Sequence, residues 1–378
     1  MLPNDTTQDR IAALIRSIDL PAPSTIESPQ VSAAYHSIYL ITFPQTNEHP
    51  AQEDLVLRIS KGQLPTIKTS NEVAVISWVS QNTSIPVPKI VHHSTTSENI
   101  LGHEYVLLSR LPGHSLDKVY KKLDGIQMSA IVAQLADFMD QLHDRGWNHV
   151  GGLRLDGNGG EIVPGPVVEE TFWQMQDIEK YWNSIETVGS LNVAGPFHSY
   201  VDYISGHVSK YIYAISKHDS LQFMLDLVPR LELFIREMAN DADQLNQVKL
   251  RLAHRDLHFG NIMFDIESGR ITGIIDWEFA MVVPFTRWNP VGALLWCGIE
   301  GEEDTEKSNR VAEFMNICRE RGITIPEDEK FSSPKQEHMQ SAANFLRAIV
   351  EVSPKGQKAD LVGKWRESLE GYLTAFGV

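Results

Sequence analysis

The chain has 378 residues, 42% hydrophobic and 22% charged, with 33 Lys+Arg against 49 Asp+Glu and a net charge of −16. That length can bury a sizeable core and suggests two or three domains of an ordinary soluble globular protein. Acidity without a Lys/Arg cluster argues against a nucleic-acid partner, and no apolar run is long enough to span a bilayer. Cys297 and Cys318 form neither a disulfide framework nor a paired zinc site, so a reducing, cytoplasmic setting fits best. Oligomeric state is left open.

Ile11, Leu14, Ile15 and Ile18 recur at helical spacing between charged residues, which predicts an amphipathic helix rather than a secretory signal. Residues 37–43 and 54–59 are rich in β-branched and aromatic types and read as strands joined across 44–52. A helix is expected over 70–80, with Val73, Ile76 and Val79 on one side, and Ile85-Pro86-Val87-Pro88 ends it. A strand at 104–108 leads to Leu111-Pro112-Gly113, where the chain is divided into an N-terminal lobe, 1–111, and a C-terminal lobe, 112–378.

Beyond Ser129 the pattern turns helical. Ile131, Leu135, Phe138 and Leu142 share one face, with Gly146 as the expected C-cap. Residues 151–166, dense in glycine and proline, read as a long loop of the kind that serves as a substrate lid. Phe172, Trp173 and Trp182 read as core, and 300–306 as a solvated acidic face. Further helices are expected from 228, around 311–318, over 335–352 and over 359–376.

Two stretches carry chemistry. His254-Arg255-Asp256-Leu257-His258-Phe259-Gly260-Asn261 is a tight polar loop running into an apolar strand, and Ile274-Ile275-Asp276-Trp277-Glu278 closes a second strand. A turn around Gly269 brings Asn261 and Asp276 to one mouth. Phosphoryl transfer needs a carboxylate to take the attacking hydroxyl's proton and hard oxygen ligands for Mg²⁺. The competing reading of Asp256 as a plain turn residue is outweighed by the joint spacing.

These motifs resemble the aminoglycoside phosphotransferase/choline kinase branch of the protein-kinase-like superfamily. Asp276-Trp277-Glu278 stands where protein kinases have D-F-G, and there is no A-P-E element. The resemblance implies an α+β, two-lobed kinase-like fold with a small N-terminal sheet lobe and a larger helical lobe. It implies Asp256 as catalytic base, Asn261 and Asp276 as Mg²⁺ ligands, and His254 as a brace for the loop. His258 stands evenly between a role and a satisfied loop imidazole.

Arg58 occupies the place of the phosphate-binding lysine, with Glu72 as its acidic partner. The bland readings are a surface arginine and a capping box, Thr69-Ser70-Asn71-Glu72. Residues 31–37, in the position of the phosphate-covering loop, lack the glycine that lets amides approach phosphate. Residues 105–113 resemble the hinge, where adenine would bond the Ser109 carbonyl and the Leu111 amide. The expected activity is transfer of the γ-phosphoryl group of ATP or GTP to a hydroxyl of a small molecule. The alternative is a catalytically weak nucleotide-binding or regulatory protein.

Overall fold

The computed structural model describes residues 6–29, 34–44, 53–157, 160–183, 185–287, 295–297, 304–328 and 330–378. Residues 31–33 of the glycine-free stretch 31–37, the connection 45–52 and residues 300–303 of the acidic run lie outside the described residues.

The N-terminal part is an antiparallel sheet of β1 (Thr25–Glu27), β2 (His36–Thr42), β3 (Leu55–Ser60), β4 (Ile90–Ser94) and β5 (Tyr105–Ser109), in the order β1-β2-β3-β5-β4. Helix α1 (Thr7–Ser17) begins with a capping box between Thr6 and Asp9. It packs Ile11, Leu14 and Ile15 against Ile41, Leu57 and Leu107 on one sheet face. Helix α2 (Ile67–Asn82) covers the other, sharing a cluster with Val106 and Leu108. β4 escapes sequence reading because His92 and His93 interrupt any apolar alternation.

α2 starts three residues earlier than expected, after Thr66 at φ 65°. Thr69 to Glu72 therefore lie inside the helix, and the capping-box reading of Glu72 is corrected. This helix is buried around most of its girth, polar residues included. It lies between the sheet and the C-terminal part rather than on the outside.

Past β5, strand β6 (His114–Ser115) crosses over to join a hairpin of the C-terminal part. Helix α3 (Gly125–Asp144) follows and carries Ile131, Leu135, Met139 and Leu142 inward. Its C-cap is Arg145 in an extended conformation, so Gly146 is not the left-handed cap that was expected. The stretch 151–166 is also corrected. It is mainly a hairpin of β7 (Leu153–Leu155) and β8 (Ile162–Pro164), whose tip residues 158–159 lie outside the described set. Asn71 of α2 fixes it, accepting from Leu153 N–H at 2.8 Å and donating to the carbonyls of Glu278 (3.2 Å) and Ala280 (2.8 Å).

The remaining core is helical: α4 (Tyr200–Lys217), α5 (Val228–Asn240), α6 (Asp304–Arg321), α7 (Pro334–Val352) and α8 (Ala359–Phe376). Phe172, Trp173 and Trp182 are core residues, the two indoles meeting edge to face at 5.1 Å. Two strand pairs carry the motifs: β9 (Leu250–Ala253) with β12 (Met281–Pro284), and β10 (Ile262–Asp265) with β11 (Arg270–Ile274). β6 adds to β10, and Gly113 is required just before it. Its φ is 89°, and a Cβ there would stand 2.3 Å from the Phe264 carbonyl oxygen. One buried cluster runs from α2 and β5 through α3 to Phe264 and Ile274, so the apolar core continues across residue 111.

Candidate active site

The loop after β9 is built around a buried histidine. His254 Nδ1 accepts from the Asp256 amide at 3.3 Å, while Nε2–H donates to the Ile275 carbonyl at 2.9 Å. Its ring lies 4.5 Å from the Trp277 indole. Burial drives its pKa down to about 4, despite the pull of the Ile275 carbonyl. A neutral imidazole with one donor and one acceptor thus ties the first motif to the second. Arg255 is left-handed, φ 71°, and donates to the Val168 carbonyl at 2.7 Å. The next residue, Asp256, emerges with its side chain 54% exposed. Strain on one residue so placed is characteristic of a functional loop.

Asn261 orients Asp256, its Nδ2 donating to the Asp256 carbonyl at 2.7 Å and to the carboxylate at 3.2 Å. His258 Nε2 stands 3.8 Å from the same carboxylate, and its Nδ1 accepts from the Gly260 amide at 3.0 Å. Burial raises the Asp256 carboxyl above its usual range, opposed by His258 and aided by the charges of Asp276 and Glu170. A raised, exposed, hydrogen-bonded carboxylate suits a general base.

The Ile275 amide donates to the Asn261 carbonyl at 3.0 Å, so Asn261 adjoins Asp276. Asp276 is the second strained residue, with φ 69°. With Nδ2 engaged by Asp256, the amide oxygen of Asn261 is the atom it can offer to an ion. One Asp276 oxygen takes Arg58 and its side chain stays 30% exposed. One amide and one carboxylate oxygen fit Mg²⁺, which takes few protein ligands and completes its shell with water and phosphate. Among the described residues no group of three or more His, Cys, Asp or Glu forms a metal cage.

Arg58 on β3 is buried and bridges both halves. Its Nη2 donates to Asp276 Oδ1 at 2.6 Å, and its Nε lies 3.3 Å from Glu72 Oε1. The surface-arginine reading is thereby excluded. Burial would lower the Arg58 pKa, but Glu72, Asp276 and Glu278 raise it. Burial would likewise raise Asp276, yet Arg58 holds it below the usual carboxylate range. For Glu72 burial prevails over Arg58 and the pKa is raised.

Ser109 and Leu111 stand apart from this cluster, at the hinge. Ser109 N–H donates to the Lys89 carbonyl and its Oγ accepts from the Lys89 amide, both at 2.9 Å. The Leu111 side chain lies on β11 where Gly273 leaves room, for a Cβ there would stand 2.1 Å from Leu111 Cδ1.

A polar cavity of about 430 Å³ is lined by Tyr35, Glu170, Gln174, Asp177, Glu351 and Lys355 among others, and of these Glu170 is near enough to Asp256 for its charge to act on that carboxyl. Tyr35 OH donates to Glu170 at 3.1 Å and its ring meets Phe279 edge to face at 5.1 Å. Lys355 pairs with Asp177 at 2.9 Å. Beneath, buried Glu169 takes Arg287 at 3.2 Å and the Tyr203 hydroxyl.

Sequence reasoning missed this cavity and three buried polar residues: His36, Lys68 and Asn71. The signal for Lys68 was its spacing of four from Glu72. Placing the helix start at Ser70 left Lys68 outside it.

Comparison with known proteins gives the family and the fold. The model of the APH family, described as a phosphotransferase enzyme family, matches residues 45–286. A subtelomeric hrmA-associated cluster protein of Aspergillus fumigatus is 24% identical over 259 residues, 57% of this chain and 50% of its own length. Clavilactone A biosynthesis cluster protein Y of Ampulloclitocybe clavipes is 24% identical over 261 residues, 68% of this chain and 59% of its own. The chain thus spans about half the length of the A. fumigatus relative. Among solved structures, the streptomycin–ATP complex of APH(2")-IIa superposes with a TM-score of 0.52 at 16% identity, covering 100% of this chain and 99% of that one. ADP-bound aminoglycoside phosphotransferase APH(2'')-Ib gives 0.52 at 15%, covering 97% and 98%. The fold is the two-lobed kinase-like one, and the chain belongs to the APH phosphotransferase enzyme family.

Proposed function

We propose that this protein transfers the γ-phosphoryl group of ATP or GTP to a hydroxyl of a small molecule, with Mg²⁺ as cofactor. One observation carries the reading: Asp256, Asn261, Asp276, Arg58 and Glu72, drawn from four separate segments, are linked in one chain of short polar contacts, the step from Asn261 to Asp276 running through the Ile275 amide. Asp256 accepts the acceptor hydroxyl's proton, and Asn261 holds that carboxylate in line. His254 keeps the Asp256 loop against the Asp276 strand. Arg58, steadied by Glu72, presents its guanidinium to the phosphates, and the Ser109 carbonyl and Leu111 amide take the base. Asn261 and Asp276 would hold the ion, which when bound neutralises charge on the phosphates. Positioning and preorganised charge do most of the work in such a site.

Product detection tests the reading. Incubation with Mg·[γ-³²P]ATP or GTP and a pool of polyols, amino alcohols and sugars is expected to label a small molecule. Saturable nucleotide binding without any labelled product would favour the weakly catalytic alternative.

A further inference from the structure

The reading above leaves a fully buried lysine without a task. Lys68 is 1% exposed and sits one helical turn before Glu72. Its Nζ donates to Glu278 Oε2, two residues past Asp276 on the same segment. Two cross-links therefore run in parallel from the N-terminal part to this segment: Glu72–Arg58–Asp276 and Lys68–Glu278. They are not independent. Glu278 Oε2 also lies 3.9 Å from Arg58 Nη2, the nitrogen that holds Asp276. His36 sits between the two cations, 3.3 Å from each and 3.4 Å from Glu278. The Lys68 ammonium is further placed by the Tyr35 ring, whose centroid is 5.2 Å away.

Arg58 thus faces three carboxylates, of which the chemistry needs Glu72 and Asp276. A second carboxylate within reach of Nη2 draws the guanidinium off Asp276 unless a cation of its own satisfies it, since a buried unpaired charge costs far more than a shared one. We propose that Lys68 is a positioning residue for phosphoryl transfer: it takes up Glu278, and so reserves Arg58 for Asp276 and the nucleotide phosphates. This inference rests on the Mg·nucleotide reading of the same cleft.

Equilibrium binding of ATP with Mg²⁺ and of ATP in EDTA, on wild type, K68M, E278Q and the K68M/E278Q double variant, tests it. K68M is expected to weaken Mg·ATP about tenfold, with less change for metal-free ATP. E278Q removes the competitor and is expected to bind Mg·ATP within about threefold of wild type, and the double variant to recover most of what K68M loses. Circular dichroism and melting confirm folding; should K68M fail to fold, E278Q and the double variant still decide. K68M binding like wild type, or a folded double variant binding Mg·ATP about tenfold more weakly than wild type, would overturn the proposal. An equal loss for ATP with and without Mg²⁺ would do the same. Wild type that binds no Mg·ATP would instead sink the underlying reading.

Discussion

The nucleotide end and the cavity end of the proposed site are built differently. At the nucleotide end, Arg58, Glu72, Asn261 and His254 are buried, each with partners fixed within about a hydrogen bond's length by strands and one central helix. At the cavity end, which adjoins the first through the Tyr35–Lys68 contact, Tyr35, Glu170, Asp177 and Lys355 line an open cavity, joined by rim contacts such as Tyr35–Glu170 at 3.1 Å. The first end has one arrangement because buried charges tolerate no other. The second can change residues without unfolding the protein, which suits a site that selects the acceptor, and we propose that role for it. The nucleotide end should therefore break in stability and turnover, the cavity end in acceptor affinity alone.

Asp256→Asn sharpens that contrast most. It is expected to cut turnover by roughly 10²–10⁴-fold, as loss of a general base does, while Mg·ATP affinity measured by calorimetry stays within about threefold. Asp276→Ala should act on binding and folding together. Arg58 then loses its shortest contact but keeps Glu72 and Glu278, so urea melts should show a loss of about 1–3 kcal/mol and Mg·ATP affinity should collapse. A variant as stable as wild type and still binding Mg·ATP would break the distinction between the ends.

Acid should find the buried interior first. His254 and His143 are held neutral, the latter by burial, with Arg251 and Lys249 adding, at about 3. Both lie below the ordinary histidine value of 6.5, so the unfolded chain binds more protons and stability falls as pH drops below about 6.5. The expected contribution is about 1.4 kcal/mol per pH unit per group. Melts between pH 7 and 5 check the slope, and His143→Leu should remove its share while leaving that of His254.

The cavity end should respond more mildly. Glu170→Gln is expected to raise the acceptor KM about tenfold, with nucleotide KM nearly unchanged. Tyr35→Phe removes one exposed hydrogen bond and should change acceptor KM by about threefold or less. A fall in nucleotide affinity in either variant would blur the comparison.

The same contrast decided what was legible in the sequence. Asp256, Asn261 and Asp276 stand at fixed spacings on a strand–turn–strand unit, so local chain geometry alone brings them together. β3, β5 and α2 were visible from β-branched content and helical periodicity. What failed was non-local. The start of α2 was misjudged because Thr69–Glu72 mimics a capping box, while the helix begins beyond Thr66 in a left-handed turn with no sequence signature. Residues 151–166 looked like a loop because the glycines needed for close packing also suit loops. Gly152 faces Asn71, whose oxygen would stand 2.4 Å from a Cβ. Tyr35 and Glu170 are 135 positions apart, and only the fold joins them.

Central to the account is a transfer of phosphate in which Asp256 is the base. The most direct test follows radiolabel from Mg·[γ-³²P]ATP or GTP into small hydroxyl compounds, with wild type and Asp256→Asn compared at equal nucleotide saturation. The account predicts a labelled product from wild type and almost none from the variant. Equal labelling by both, or none by a wild type saturated with nucleotide across the acceptor pool, would contradict it.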